Sequence, residues 1–229
     1  MSKHLILLHG ALAQKHQFDD LLPLLHCGEV LPLDFPGHGD LSFADDTIFN
    51  LPVLAEYVLS VMDKNEILQA DLMGYSMGGY VAMYLVNKFP DRFTGILTLA
   101  TKYRWNPEIA LQETARLNPE VLAEKVPAFV AQLQTLHPHT DWELLLNKTA
   151  AFMNDLGQMD YLHPDKLRRQ SVKSCIAVGD RDKMVTLDET LQVFKALPDA
   201  QLAVLPDTPH PFERMNMSKV AQLANAFFG

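Results

Sequence analysis

Cysteine, basic charge and long apolar runs are all scarce in this chain, and each shortage excludes a class of protein. Two cysteines in 229 residues, Cys27 and Cys175, cannot form the framework of a disulfide-stapled domain. Each lies in or beside an apolar stretch, where a free thiol behaves as a small buried hydrophobe. A reducing, cytoplasmic location is expected. Lys and Arg number 19 against 28 Asp and Glu, a formal net charge of -9 that repels nucleic acid and anionic membrane surfaces. Neither is expected as a partner. The apolar core of MSKHLILLHG, Leu5 to Leu8, is shorter than the roughly 7 to 15 residues of a secretory signal. No run approaches the roughly 18 apolar residues of a membrane span.

What is present is an alternation of short apolar runs and longer helical patterns. Candidate strands are His4–Leu8, Val30–Leu33, Asp71–Met73, Gly95–Ala100, Cys175–Val178 and Gln201–Leu205. They are nearly continuous apolar runs, the pattern of parallel strands buried on both faces. Between them lie helical stretches: Asn50 as a cap with a helix through Lys64, then Ser76–Phe89, Asp188–Leu197 and Phe212–Phe228. Strand–helix alternation predicts an α/β fold with a doubly wound, mostly parallel sheet of about six strands. Residues 103–165 break the rhythm, with helical periodicity, five prolines and no convincing strand. The expected organisation is a core of residues 1–102 and 166–229 with a helical cap inserted at 103–165.

Gly74-Tyr75-Ser76-Met77-Gly78 places a serine between two glycines, after an apolar strand and before a helix. In that context G-x-S-x-G is a nucleophile elbow: the chain turns sharply, and glycine is needed where a Cβ would collide. A serine hydroxyl needs a base within hydrogen-bond reach. His210, in LPDTPHPFERM, follows a predicted strand end in a loop restrained by Pro209 and Pro211. The orienting carboxylate is Asp180 or Asp182 in CIAVGDRDKMV, just past another strand end. His137 and His139 in HPH, with His163 in LHPD, match no structural zinc spacing and are expected to be solvated loop histidines. No metal and no organic cofactor are expected.

With these motifs in place, the chain resembles the α/β-hydrolase family. The order Ser–Asp–His is that family's. LLHG at Leu7–Gly10 is similar to its loop after the first buried parallel strand, and DFPGHGDLS at Asp34–Ser42 to its D-x-P-G-H-G-x-S stretch, with one additional residue before the serine. VGDRDKMV is similar to the family's acid loop, which selects Asp182 over Asp180. The resemblance implies catalytic Ser76, Asp182 and His210, with an oxyanion hole formed by the backbone N–H groups of Ala11 and Met77. It implies that His9 and His38 shape loops. The chain starts almost on its first strand, so the two opening strands common in the family are expected to be missing and Val30–Leu33 to lie at an edge.

The implied activity is hydrolysis of a carboxylic ester or thioester of a small molecule through an acyl-enzyme. Tyr103, Trp105, Phe152 and Met153 of the cap are the candidate substrate-binding residues; Lys102 and Arg104 near the cap entrance either read an anionic substrate or are solvated surface charges, and the second is expected. Related chemistries on the same triad are carbon–carbon bond hydrolysis and cofactor-independent peroxidation. A different class is a ligand-binding receptor on the hydrolase fold.

Overall fold

A computed structural model describes residues 3–44 and 48–229. Six strands, β1 (His4–Leu8), β2 (Glu29–Leu33), β3 (Ala70–Tyr75), β4 (Phe93–Leu99), β5 (Lys173–Gly179) and β6 (Ala200–Leu205), form one sheet in the order β2-β1-β3-β4-β5-β6. Every pairing is parallel. Every position of β3 is buried, whereas the edge strands β2 and β6 each bury only their last residue, Leu33 and Leu205. Central strands covered on both faces carry no polar alternation, which is why they read as unbroken apolar runs.

Alternate side chains of the sheet feed two apolar layers. Ile6, Leu8, Leu72, Ile96 and Ile176 face helices α1 (Leu51–Lys64), α2 (Met77–Lys88) and, further along the sheet, α8 (Leu187–Ala196). Leu5, Leu7, Met73, Leu97 and Cys175 face α9 (Met217–Phe228) and the segment carrying Phe18 and Leu21. Both cysteines are free and buried. Asn50 caps α1 by accepting from the Val53 N–H, and Thr186 with Glu189 forms a capping box on α8.

The expected helix over Phe212–Phe228 is divided. A short 3-10 turn at Phe212–Arg214 is followed by extended Met215, and Asn216 restarts the chain as α9 by accepting from the Lys219 N–H. A short amide side chain that captures a backbone donor favours a cap over a helix interior.

Between β4 and β5 the regular structure is all helical: α3 (Pro107–Thr114), α4 (Pro119–Lys125), α5 (Pro127–Leu136), α6 (Trp142–Gln158) and α7 (Pro164–Leu167). The prolines that interrupt the sequence pattern open four of these helices. The first turn is where a missing N–H costs nothing. Helix α6 buries Leu145, Leu146, Phe152 and Leu156, and α3 packs along it. No helix of the described residues is long and apolar enough to cross a membrane.

Candidate functional site

Strand β1 pairs with β2 on one side and with β3 on the other, so the strand order reverses there. In open parallel sheets this reversal opens a crevice at the carboxyl ends of the strands. Ser76 stands in it, one residue past β3 and one before α2, with φ 51° and ψ -114°. That backbone is strained for a residue with a Cβ. It is held by the Ser76 N–H, which donates to the Leu99 carbonyl at 2.9 Å, and by the absence of side chains around it. A Cβ on Gly78 would fall on the Leu8 carbonyl, and one on Gly74 on the Gly78 carbonyl. The two glycines allow α2 to leave the sheet against β1 and β3.

Two other strand ends supply the neighbours. Five residues past β6, His210 brings Nε2 to 3.5 Å from the Ser76 Oγ. Its Nδ1 lies 2.8 Å from Asp182 Oδ2, three residues past β5. A carboxylate only accepts, so Nδ1 carries the proton and Nε2 presents its lone pair to the serine. The Asp182 side chain is fully buried, and its other oxygen accepts from the Met184 and Val185 N–H groups, both at 2.8 Å. Asp180 is used differently: its Oδ1 accepts from the Thr208 N–H at 3.1 Å, tying the β5 loop to the one that carries His210. Tyr75 donates from its hydroxyl to the His210 carbonyl at 2.8 Å.

Ala11 follows β1 and lines the same pocket as Ser76 and Met77. Met77 is the first residue of α2, so its N–H has no carbonyl within the helix. Among the described residues neither the Ala11 nor the Met77 N–H donates to a protein acceptor. Gly10–Ala13 is a tight turn, with the Ala13 N–H on the Gly10 carbonyl and Leu12 at φ 60°. His9, fully buried, donates from Nδ1 to the Gly10 carbonyl at 2.7 Å and accepts at Nε2 from the Phe35 N–H at 3.1 Å. Burial lowers its pKa to about 4. His38 is buried beside it and held neutral by the same desolvation.

One expected solvated histidine is not solvated. His137 is fully buried, while His139 and His163 are exposed. Its imidazole accepts at Nδ1 from the Gly39 N–H and donates from Nε2 to the Leu12 carbonyl. These partners lie 98 and 125 residues away in sequence, so nothing in HPH itself could announce them.

A pocket partly open to solvent is lined by Ala11, Ser76, Met77, Tyr80, Trp105 and Phe152, among others. Met153 also lines it, whereas Tyr103 does not. Tyr103 lines an adjacent cavity, with its hydroxyl donating to Thr98 at 2.6 Å. Lys102 is a second correction. It reaches into the pocket wall, 3.5 Å from Glu113 of α3, and donates to the Met184 carbonyl. Arg104, half exposed, pairs with Asp188. Among the described residues no three His, Cys, Asp or Glu side chains are grouped to hold a metal ion.

The sequence profile described as the alpha/beta hydrolase family matches residues 5–226. The chain belongs to that family. Among curated relatives it is 38% identical over 100 residues to a pimeloyl-[acyl-carrier protein] methyl ester esterase of Neisseria meningitidis serogroup C, a match spanning 43% of this chain and 37% of that protein. The chain thus covers little more than a third of that relative's length. It is 22% identical over 234 residues to the uncharacterized hydrolase YugF of Bacillus subtilis, spanning 92% of this chain and 85% of that one. Among solved structures, NosK from Streptomyces actuosus superposes with a TM-score of 0.81 at 20% identity, covering 100% of this chain and 98% of that one. MenH from S. aureus does so with 0.79 at 20% identity, covering 98% and 92%. These two likenesses are of fold.

Within this hydrolase fold, sequence reasoning passed over Tyr75, Tyr80, Met184 and Val185. Tyr80 lies four residues after Ser76, one helical turn along α2, a spacing that points it toward the same pocket. Met184 and Val185 follow Asp182 so closely that an acid turned inward must meet their amides. The hydroxyl contact of Tyr75 spans 135 residues and left no local signal.

Proposed function

We propose that the chain is a serine hydrolase that cleaves a carboxylic ester or thioester of a small molecule, with Ser76 as nucleophile, His210 as general base and acid, and Asp182 as the orienting carboxylate. One observation carries the reading: a serine held at φ 51° on a strand–helix bend has its Oγ 3.5 Å from the unprotonated nitrogen of a histidine whose other nitrogen meets a buried carboxylate. The kinship with pimeloyl-[acyl-carrier protein] methyl ester esterases supports an ester.

His210 takes the Ser76 proton at Nε2 as Oγ attacks the carbonyl carbon, and the resulting imidazolium is stabilised by Asp182 through Nδ1. The Oγ–Nε2 separation is long for a hydrogen bond, and shortening it on the way to the transition state is common in such pairs. The N–H groups of Ala11 and Met77 receive the oxyanion, each donor worth about 3 to 4 kcal/mol in sites of this kind. His210 then returns the proton to the leaving alkoxide or thiolate. Water activated by the same nitrogen releases the acid and restores Ser76. Every one of these groups comes from the chain itself.

The residues divide by role into a hydrolase core of 1–102 and 166–229 and a cap of 103–165. The cap supplies Trp105, Phe152 and Met153 to the pocket wall, where they select the substrate. A reducing, cytoplasmic setting suits the two free, buried thiols.

The test is a fluorophosphonate probe applied to the wild type and to Ser76→Ala side by side. Labelling of the wild type alone is expected. An unlabelled wild type, or equal labelling of both, refutes the reading.

A further inference from the structure

Three buried imidazoles run from the cap to the nucleophile crevice. His137, immediately after α5, lies 5.4 Å from His38 between ring centroids, and His38 lies 5.0 Å from His9. Of the three, only His137 belongs to the helical segment between β4 and β5, and its two nitrogens bond two different core loops. Nδ1 accepts from the Gly39 N–H at 2.9 Å, in the loop after β2. Nε2 donates to the Leu12 carbonyl at 3.1 Å, in the turn that carries Ala11. Accepting at Nδ1 requires the neutral ring with its proton on Nε2, and burial lowers the pKa of His137, favouring that form.

The second bond acts on a strained and critical place. Leu12 holds a positive φ, and its carbonyl lies two peptide units past the one that bears the Ala11 N–H. The turn is otherwise secured from its other side, by the His9 ring on the Gly10 carbonyl and by the Gly10 N–H donating to Gln17. Thr140 adds a neighbouring tie from the same helical segment, its hydroxyl donating to the Leu41 carbonyl at 3.3 Å.

We propose that His137 is a positioning residue: through the Leu12 carbonyl it fixes the turn bearing the Ala11 N–H, so that seating of the helical cap completes the oxyanion hole. This rests on the serine-hydrolase reading above. A cap displaced from the core would release the turn, and acyl transfer would slow even with Ser76, His210 and Asp182 in place. Substrate selection and transition-state stabilisation thereby share one contact.

The experiment measures p-nitrophenyl butyrate hydrolysis, and inhibition by a trifluoromethyl ketone whose serine adduct places an alkoxide in the hole. Fluorophosphonate labelling of the wild type is measured first, and an unlabelled wild type overturns both readings. H137F fills the site but removes both bonds, and the expected loss is about 10- to 100-fold in kcat, since misplacing a catalytic group by about 1 Å costs up to about 10². KM is expected to stay near the wild-type value, and ketone binding to weaken by the same factor as kcat/KM. H137Q and H137N separate the two bonds, because a Gln side-chain nitrogen reaches the Nε2 position and an Asn oxygen the Nδ1 position. H137Q is expected to regain most of the rate and H137N little. His139→Phe, on the exposed neighbour, serves as the control. The proposal is overturned if H137F turns over within about threefold of wild type, or if the Gln and Asn variants are equally impaired. Should H137F fail to fold, the Gln–Asn comparison decides alone.

Discussion

Replacing Asp182 by Asn removes one charge while leaving the side chain almost unchanged in shape. The consequence follows from which atoms surround it. One oxygen accepts from the Met184 and Val185 N–H groups, each at 2.8 Å, and the other from His210 Nδ1 at 2.8 Å. In the amide, only the oxygen can face the two backbone donors, so the NH2 group must face His210. It then donates to Nδ1, which forces the ring proton onto Nε2. That nitrogen is the one 3.5 Å from the Ser76 Oγ, and once protonated it cannot take the serine proton. A substitution that preserves geometry but imposes this tautomer costs on the order of 10⁴ in turnover in serine proteases, equivalent to about 5 kcal/mol. The assay is kcat/KM for a p-nitrophenyl ester, with near-ultraviolet circular dichroism to show that the fold persists. Asp180→Asn is the comparison, since that carboxylate accepts from Thr208 and touches neither His210 nor Ser76. Loss of less than about tenfold in Asp182→Asn, or a greater loss in Asp180→Asn, would refute the assignment.

Two further expectations concern the pocket and the buried imidazoles. Met153→Ala, on the pocket wall, should lengthen the preferred acyl chain, with each newly accommodated methylene worth about 0.8 kcal/mol, or about fourfold in kcat/KM; an unchanged optimum across an ester series rules this wall out as the acyl boundary. His9 titrates near 6.5 when unfolded and near 4 when buried, so between those values the unfolded chain binds the extra proton and stability falls as pH drops. At about 1.4 kcal/mol per unit, that is a loss of about 3 kcal/mol between pH 7 and 4, read as a urea midpoint that falls with pH more steeply in wild type than in His9→Gln. Equal slopes would show that His9 contributes no such term.

Much of the fold was legible because its signals are local. A run such as Leu5–Leu8 is apolar at every position because β1 is covered on both faces, and a parallel sheet follows from that pattern. The prolines of the segment between β4 and β5 mark helix starts, so its helical character was readable without any tertiary contact. The restart of the chain at Asn216 was missed because a cap and a mid-helix polar residue look alike in a periodic stretch.

By itself the sequence determined the six parallel strands, the bend at Ser76 and the loops that deliver Asp182 and His210, because each depends on residues within a few positions of one another. Only the tertiary structure decided which groups those loops meet. Tyr75 reaches the His210 backbone, Lys102 closes against Glu113, and His137 leaves solvent to join the Gly39 and Leu12 loops. Each of the last two contacts sets a polar side chain of unremarkable local context against partners that sequence spacing does not specify. Burying an imidazole costs least where both nitrogens find partners, and only packing of the helical segment onto the sheet brings such partners within 3.1 Å of His137.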